Sequence, residues 1–390
     1  MNTTSYKQYL SSCKKSIEEQ KEVKELSFTK VDDVAYGVFR NINRVKKIAS
    51  DIKTKFINNI TDNLVKFDKI FTENGGNVHW CVAYNDFIDK FIRIIDKQKI
   101  KTVNVFDSNF IEELGLKGVL KNNEITVDNE TNDVVVFTPK FGVINTGSLF
   151  FEFASSFDME QVLSSRIKIF MLPINDFVLK PEDIEIFSYL YYIYKYKKDY
   201  PYLTSLYTPQ PLEKQNNIHI FLIDNGRSNI LENREIRSAL NCINCDACKD
   251  VCPVYTAIGD EPYDNVFSGP YANVVLPFLE NVENYKHICF SCTGCGNCSK
   301  VCPMNIPISE YIISNKNYFF EKKIMDITDA RLAKSLGKTL SSRESMNKSR
   351  FIKNLRIKLL VNNSKNITDN IVFSKFTFNQ QYQQSLEKNE

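Results

Sequence analysis

Two cysteine runs carry the most specific chemistry in this chain. Cys242, Cys245, Cys248 and Cys252 are separated by two, two and three residues, and Pro253 follows the last. Cys292, Cys295, Cys298 and Cys302 repeat that spacing, and Pro303 follows. Three thiolates in so tight a wrap can face three irons of one cubane cluster, while the fourth, carried a turn further, points away to the other cluster. The spacing therefore predicts one [4Fe–4S] cluster on Cys242, Cys245, Cys248 and Cys302, and a second on Cys292, Cys295, Cys298 and Cys252. Zinc is usually held by two separated Cys-x2-Cys pairs, and here a run of four ending in proline occurs twice. Such a pair of cofactors moves electrons.

Cys289 stands before the second run at the same x2 spacing. As a ligand it would leave Cys298 unused and break the Cys-Pro step, so it is expected as a spare thiol near the cluster. Cys13 and Cys81 have no partner spacing and are expected as ordinary thiols. His79 and Trp80 are expected as a core pair with a hydrogen-bonded imidazole, since no carboxylate or Cys sits at ligand spacing; His219 is expected to behave likewise. His287 is expected at the surface, with tuning of a cluster through a hydrogen bond as the alternative. Asn145-Thr146-Gly147-Ser148 reads as a tight hairpin turn or as a cradle for a phosphate or carboxylate. Asp224-Asn225-Gly226-Arg227 reads as a turn whose arginine reaches a partner or the cluster domain.

The bulk numbers bound the rest. A chain of 390 residues suggests two or three domains, and 43% apolar residues suit a globular core. A formal charge of +3 points to no dominant nucleic-acid or membrane partner. Nine of the eleven cysteines lie between positions 242 and 302, which marks a cofactor framework and not a disulfide scaffold. The start lacks an apolar leader, and stretches such as Phe187 to Tyr194 are too short to span a bilayer, so a cytoplasmic protein without stable membrane insertion is expected.

The elements that must position the cysteines can be read from periodicity. Residues 1–75 read as a helical region. Within it Ile42, Val45, Ile48, Ile52, Phe56, Ile60, Leu64, Phe67 and Ile70 form the apolar face of a long helix or helix pair, stopped at Gly75–Gly76. From 76 to 230 strands alternate with helices. Strands are expected at Val78–Ala83, Thr102–Phe106, Asp133–Thr138, Ser148–Phe153, Arg166–Leu172 and Ile218–Ile223. Helices are expected at Asp86–Ile95, Asn109–Leu120 and from Pro181 to about Lys198. This alternation predicts an α/β domain around a largely parallel sheet. Residues 231–320 are expected to form an all-α di-cluster domain, with a helical run at Asn273–Leu279 broken at Pro277. Residues 321–390 are expected as a polar helical tail. Within it Phe351, Leu355 and Leu359 give a basic amphipathic helix that includes Lys353 and Arg356.

Around the cysteines the chain reads LIDNGRSNILENREIRSALNCINCDACKDVCPVY, then YDNVFSGPYANVV, then CTGCGNCSKVCPMNIPI. This closely resembles the iron–sulfur subunit of the bacterial L-lactate utilisation system, which joins a lactate-utilisation (LUD) domain to a di-cluster ferredoxin segment. Upstream, NGGNVHWCVAYNDFIDKFIRII, FGVINTGSLFF and IKIFMLPINDFV resemble that family's α/β half, so the likeness spans roughly residues 35–320. The resemblance implies a Rossmann-like LUD domain and an electron-transfer subunit in a complex that oxidises L-lactate to pyruvate. The partners it implies are a cysteine-rich CCG-type subunit and a second LUD protein. The chain also departs from the family. Asp107, Ser108 and Asn109 stand where relatives carry a Lys-Ser-Lys-Ser-Met-like segment, and YLYYIYKYKKDY replaces an Arg-Ser-Ala-Thr-Gly-Gln-like helix. No acid/base or nucleophilic constellation stands out in the sequence, so no catalytic residue is assigned and the relay reading leads. Two rivals accompany it: a LUD-domain enzyme whose clusters serve its own active site, and a nucleic-acid-binding or redox-sensing module using the basic tail.

Overall fold

A computed structural model of the chain describes residues 6–19, 41–129, 133–197, 203–210 and 217–322, together with 324, 334, 337, 338, 341, 342 and 382. The basic amphipathic helix expected around Lys353 and Arg356 lies outside the described residues. Residues Met1–Asn315 form one compact unit and Lys316–Glu390 another.

The N-terminal region contributes helix α1 (Tyr6–Glu19) and a helix pair, α2 (Ile42–Asn58) and α3 (Ile60–Glu73). The Asn41 side chain caps α2 by accepting from the Arg44 N–H at 3.1 Å. The two helices break at Asn59, and the chain turns at Gly75–Gly76 into strand β1 (Asn77–Cys81). The buried face of α2 is Ile42, Val45, Ala49, Lys53, Phe56 and Ile57. This corrects the expected stripe, because Ile48 is exposed and Ile52 only half-buried. The helix is rotated so that Ala49 and Lys53 face inward.

Next come α4 (Tyr84–Lys97), β2 (Thr102–Val105), α5 (Asn109–Glu113), α6 (Leu116–Asn122), β3 (Thr126–Val127) and β4 (Val134–Phe137). A left-handed Gly115 divides α5 from α6, where one helix was expected. The chain continues through β5 (Phe141–Val143), β6 (Ser148–Phe153), α7 (Ser156–Ser164), β7 (Ile167–Pro173), β8 (Phe177–Val178), α8 (Asp183–Tyr196), β9 (Leu203–Tyr207) and β10 (Ile218–Ile223). Six strands form a parallel sheet in the order β1-β10-β7-β4-β2-β3. Its central strands β4, β7 and β10 are buried throughout, as β-branched and aromatic runs covered on both faces should be. Phe87, Phe91 and Ile95 of α4 join Val103, Val136, Ile169 and Phe221 in one core cluster. A second sheet, β8-β5-β6-β9, carries two antiparallel pairings and was not foreseen.

Because all six strands of the main sheet run the same way, Asn109, Asn175 and Arg227 follow strand C-termini along one edge. This is where open α/β sheets place their sites. From that edge the chain enters α9 (Arg227–Glu232), α10 (Ala247–Asp250), α11 (Pro253–Ile258), α12 (Gly269–Leu279), α13 (Val282–Tyr285), α14 (Asn297–Val301) and α15 (Ile308–Glu321). Pro277 sits in the last turn of α12, which ends two residues later. The architecture is an α/β sheet followed by an all-helical cysteine region.

Candidate metal centre

Each cysteine run winds tightly because its x2 loops hold left-handed residues. Asn244 (φ 56°) and Asp246 (φ 57°) do this in the first run, and Gly294 (φ 74°) and Gly296 (φ 75°) in the second. Asn, Asp and Gly are the residues that tolerate this region at least cost. The same turns aim backbone amides at sulfur. The Asn244 N–H donates to Cys242 Sγ at 3.3 Å, Gly294 N–H to Cys292 Sγ at 3.4 Å, and Tyr255 N–H to Cys252 Sγ at 3.4 Å. Pro253 stands in the first turn of α11, where a missing N–H costs nothing.

The thiols fall into two groups of four. Cys242, Cys245 and Cys302 are the leading charges within electrostatic reach of Cys248. Cys292, Cys252 and Cys295 stand in that relation to Cys298, and these four line one cavity with Pro270 and Asn273. Cys252 thus sits with the second run and Cys302 with the first. Among the described residues no three His, Cys, Asp or Glu side chains close around a single ion. A cubane cluster asks for a wider set, since each thiolate meets a different iron. Two groups of four thiols, each served by backbone amides, fit that donor set.

Burial raises the thiols of Cys242, Cys245, Cys248, Cys252, Cys298 and Cys302, with Cys245 and Cys298 reaching about 12. Backbone amides work against this at Cys242, Cys245, Cys252, Cys298 and Cys302. Left without a cation these sites favour the protonated thiol, so thiolates there need a metal to hold them. Cys289 is not part of either group's cavity lining; its Sγ donates to the Asn273 carbonyl at 2.9 Å inside the core.

Helix α2 and the α/β half press charged groups onto the first group. Lys53, only 1% exposed, donates to the carbonyls of Asn175 at 2.5 Å and Phe177 at 3.2 Å. Burial lowers its ammonium to about 8, against the pull of Asp176 and Cys242. Lys195 of α8 pairs with Asp246, and Lys197 with Asp250 at 3.1 Å, so two lysines clamp the first cysteine loop. Buried Arg227 holds Glu113 with two hydrogen bonds of 2.9 Å and gives a third, also 2.9 Å, to Asn175. A cleft lined by Asn109, Asn175, Arg227 and Tyr271 opens beside Cys242 and Cys248. The sequence signal for Lys53 was a lysine at apolar phase in an amphipathic helix, between Ala49 and Phe56.

His79 Nε2 lies 3.0 Å from His219 Nδ1, and the rings stack at 5.3 Å. Trp80 is not a core residue; it is half-exposed and donates to Asp68 at 2.6 Å. His287, expected at the surface, is buried against Tyr9 of α1 at 4.8 Å between ring centroids. The Asn145–Ser148 turn is closed on itself and on α3. Ser148 Oγ donates to Thr146 Oγ1 at 2.8 Å, Asn74 to the Thr146 carbonyl at 3.1 Å, and Lys66 to Asn145 at 2.7 Å. A Cβ on left-handed Gly147 would stand 2.8 Å from the Phe71 nitrogen. These contacts make it a packed hairpin.

Residues 238–306 match the 4Fe-4S dicluster domain family. The chain is similar to Lactate utilization protein B of Shouchella clausii (strain KSM-K16), 36% identical over 144 residues, or 36% of this chain and 30% of that protein. The Bacillus subtilis (strain 168) protein of that name is 37% identical over 125 residues, covering 31% and 26%. The Exiguobacterium sp. (strain ATCC BAA-1283 / AT1b) protein is 41% identical over 105 residues, covering 27% and 22%. The chain therefore matches less than a third of the length of each of these relatives, a shorter stretch than the motifs suggested. No solved structure matches. Among the described residues no helix is long and apolar enough to cross a membrane. The chain is an iron–sulfur protein with a dicluster domain, similar to the lactate-utilisation proteins B.

Proposed function

We propose that this chain is the electron-relay subunit of a lactate-oxidising complex. One [4Fe–4S] cluster is held by Cys242, Cys245, Cys248 and Cys302, and a second by Cys252, Cys292, Cys295 and Cys298. The observation that carries this reading is the exchange of the fourth thiol between the two groups. When bound, each cluster supplies reversible one-electron transfer. Oxidation of L-lactate to pyruvate releases two electrons and two protons, so two clusters in one chain accept the electrons from one substrate molecule.

The chain's own residues give the relay two different ends. Cys245 and Cys302 of the first group are buried, as is Cys298 of the second, whereas Cys295 is exposed and the open loop beside it ends in Gly294, whose missing side chain leaves free space. A redox partner approaches most closely at the Cys295 end. The cysteine-rich subunit and the second LUD protein implied by the family are the proposed partners. Complementary charge would guide their encounter.

A second reading has one observation in its favour. The cleft beside Cys242 and Cys248, with its Arg227–Glu113 pair, would place a bound polar substrate next to the first cluster. One experiment separates the two. Anaerobic, iron-loaded protein mixed with L-lactate and a dye acceptor is expected to show no turnover until a partner subunit is added. Lactate-dependent bleaching of the clusters without any partner would replace the relay by an enzyme.

A further inference from the structure

We propose that the α/β half holds a ligand site of its own, a cavity at the C-terminal edge of the parallel sheet that takes a small organic ammonium ion with an apolar body. The inference goes beyond the relay and stands without it, because none of the eight cluster cysteines lines this cavity.

The topology of the sheet sets the place. From β2 the chain steps outward to the edge strand β3, then returns to β4 on the other side of β2 and moves on to β7 and β10. The winding therefore reverses between β2 and β4. Open α/β sheets bind ligands in the crevice beyond the strand ends at such a reversal. Phe106, Asp107 and Ser108 follow β2, while Phe137 ends β4 and Thr138 follows it. Ser108 Oγ and Thr138 Oγ1 lie 2.8 Å apart, so a hydrogen bond ties the two strand ends together. These residues line a cavity of about 400 Å³, to which β6 adds Glu152 and Phe153, α7 adds Asp158, and α8 adds Tyr191 and Tyr196. That volume suits a small organic molecule.

The lining selects by chemistry. Its rings form two packed sets: Phe137 against Phe106 and against Phe153, each at 5.5 Å between centroids, and Tyr191 against Tyr196 at 5.9 Å. Three carboxylates, Asp107, Glu152 and Asp158, share the lining, and no lysine, arginine or histidine does. Asp107 is paired from outside by Lys117 at 2.7 Å. Glu152 keeps one oxygen for a ligand, since Lys140 stands 3.9 Å from Oε2 while Oε1 is buried without a hydrogen bond. The Tyr192 hydroxyl is the other polar neighbour of that carboxyl. Among the described residues the Asp158 carboxylate has neither an ion pair nor a hydrogen bond. Tyr191 already carries one ammonium from outside the lining, that of Lys140 at 3.0 Å from the ring centroid.

Ring faces attract a cation, and a carboxylate in a poorly solvated wall attracts it further, so an ammonium gains from both parts of this lining. An anion would meet Glu152 and Asp158 with no cation in the lining to offset them. A neutral ring would gain the aromatic contacts alone. Among the described residues no three acidic, thiol or imidazole groups converge on one point, so the geometry does not ask for a bare metal ion.

The test is isothermal titration calorimetry on the anaerobic, iron-loaded, full-length protein with three probes of similar size: benzylammonium, benzyl alcohol and benzoate. Benzylammonium should bind, benzyl alcohol about tenfold more weakly, and benzoate more weakly still. Glu152→Gln and Asp158→Asn keep the shape of the lining and remove one charge each. Each should bring the affinity for benzylammonium down toward that for benzyl alcohol and leave the alcohol's unchanged. If Glu152→Gln fails to fold, Asp158→Asn, at a half-buried helical position, decides alone. No binding of any probe, equal affinities, a preference for benzoate, or a cation preference that survives the substitutions would overturn the site. Iron content measured on the same samples keeps this result apart from the ligation, which could fail while the cavity still binds its cation.

Discussion

The α/β half and the cysteine half solve the problem of a stable interior in opposite ways. Between residues 77 and 223 the central strands are wholly buried, and aromatic side chains such as Phe151, Phe153 and Phe170 fill the space around them. Between 231 and 315 the helices are short, and among the described residues only Tyr263 of the twelve largest fully buried side chains belongs there. Its main apolar cluster, around Tyr263, Leu276 and Ile288, even borrows Tyr9 from α1. A sheet buries enough apolar surface to stand by itself, whereas a few turns wrapped around eight thiols do not. The lesson is that the second half trades hydrophobic core for metal–sulfur bonds, and its folding should depend on iron.

The most severe way to probe that contrast is to take the iron away. Anaerobic chelation should unfold the region around residues 242–302 while the parallel sheet survives, which hydrogen exchange resolved by peptide would show as lost protection in the cysteine half alone. Uniform protection after complete iron removal would mean that the two halves do not differ in this way.

Next in size is the crossing of ligands. Cys252→Ala, although it lies in the first run, should abolish or reshape the second cluster's paramagnetic signal and leave the first largely intact. Loss of the first signal would assign each run its own cluster.

A smaller effect is expected in the α/β half. Gly147→Val places a Cβ against Ile70 and the Phe71 backbone at a left-handed position, and should cost about 1–3 kcal/mol in a denaturant titration followed at the sheet. An unchanged midpoint would mean that the hairpin is not packed on α3 as described.

The smallest effect is a pH dependence in the cysteine half. Burial depresses His287 from 6.5 to about 4. The unfolded chain therefore takes up the proton first as pH falls, so stability is lost from about 6.5 downward until about 4 is passed. The slope is at most about 1.4 kcal/mol per pH unit. His287→Phe should flatten the difference between urea midpoints at pH 7 and pH 5.5; an equal slope in both proteins would show that the imidazole is not the titrating group.

The parallel sheet was legible because its strands are continuous β-branched and aromatic runs, and Ile218–Ile223 has the bounds expected of it. The dicluster cysteine pattern was equally legible, since its spacing is dictated by metal geometry. What escaped depends on partners distant in sequence. The stripe of α2 was misread because a lysine was not expected to be buried, yet Lys53 turns inward to meet the Asn175 and Phe177 carbonyls from another element. The four-stranded sheet escaped because β5 and β8 have only three and two residues. His287 was placed at the surface for want of any local sign that Tyr9, far away in the chain, would cover it.

The central claim is that two four-iron clusters share these eight cysteines and pass electrons singly. Iron and acid-labile sulfide analysis of the anaerobically isolated chain, joined to a coulometric reduction of the same sample, tests it most directly. The account predicts about eight irons, about eight sulfides and two electrons taken up per chain. Four irons and one electron, or zinc in place of iron, would contradict it.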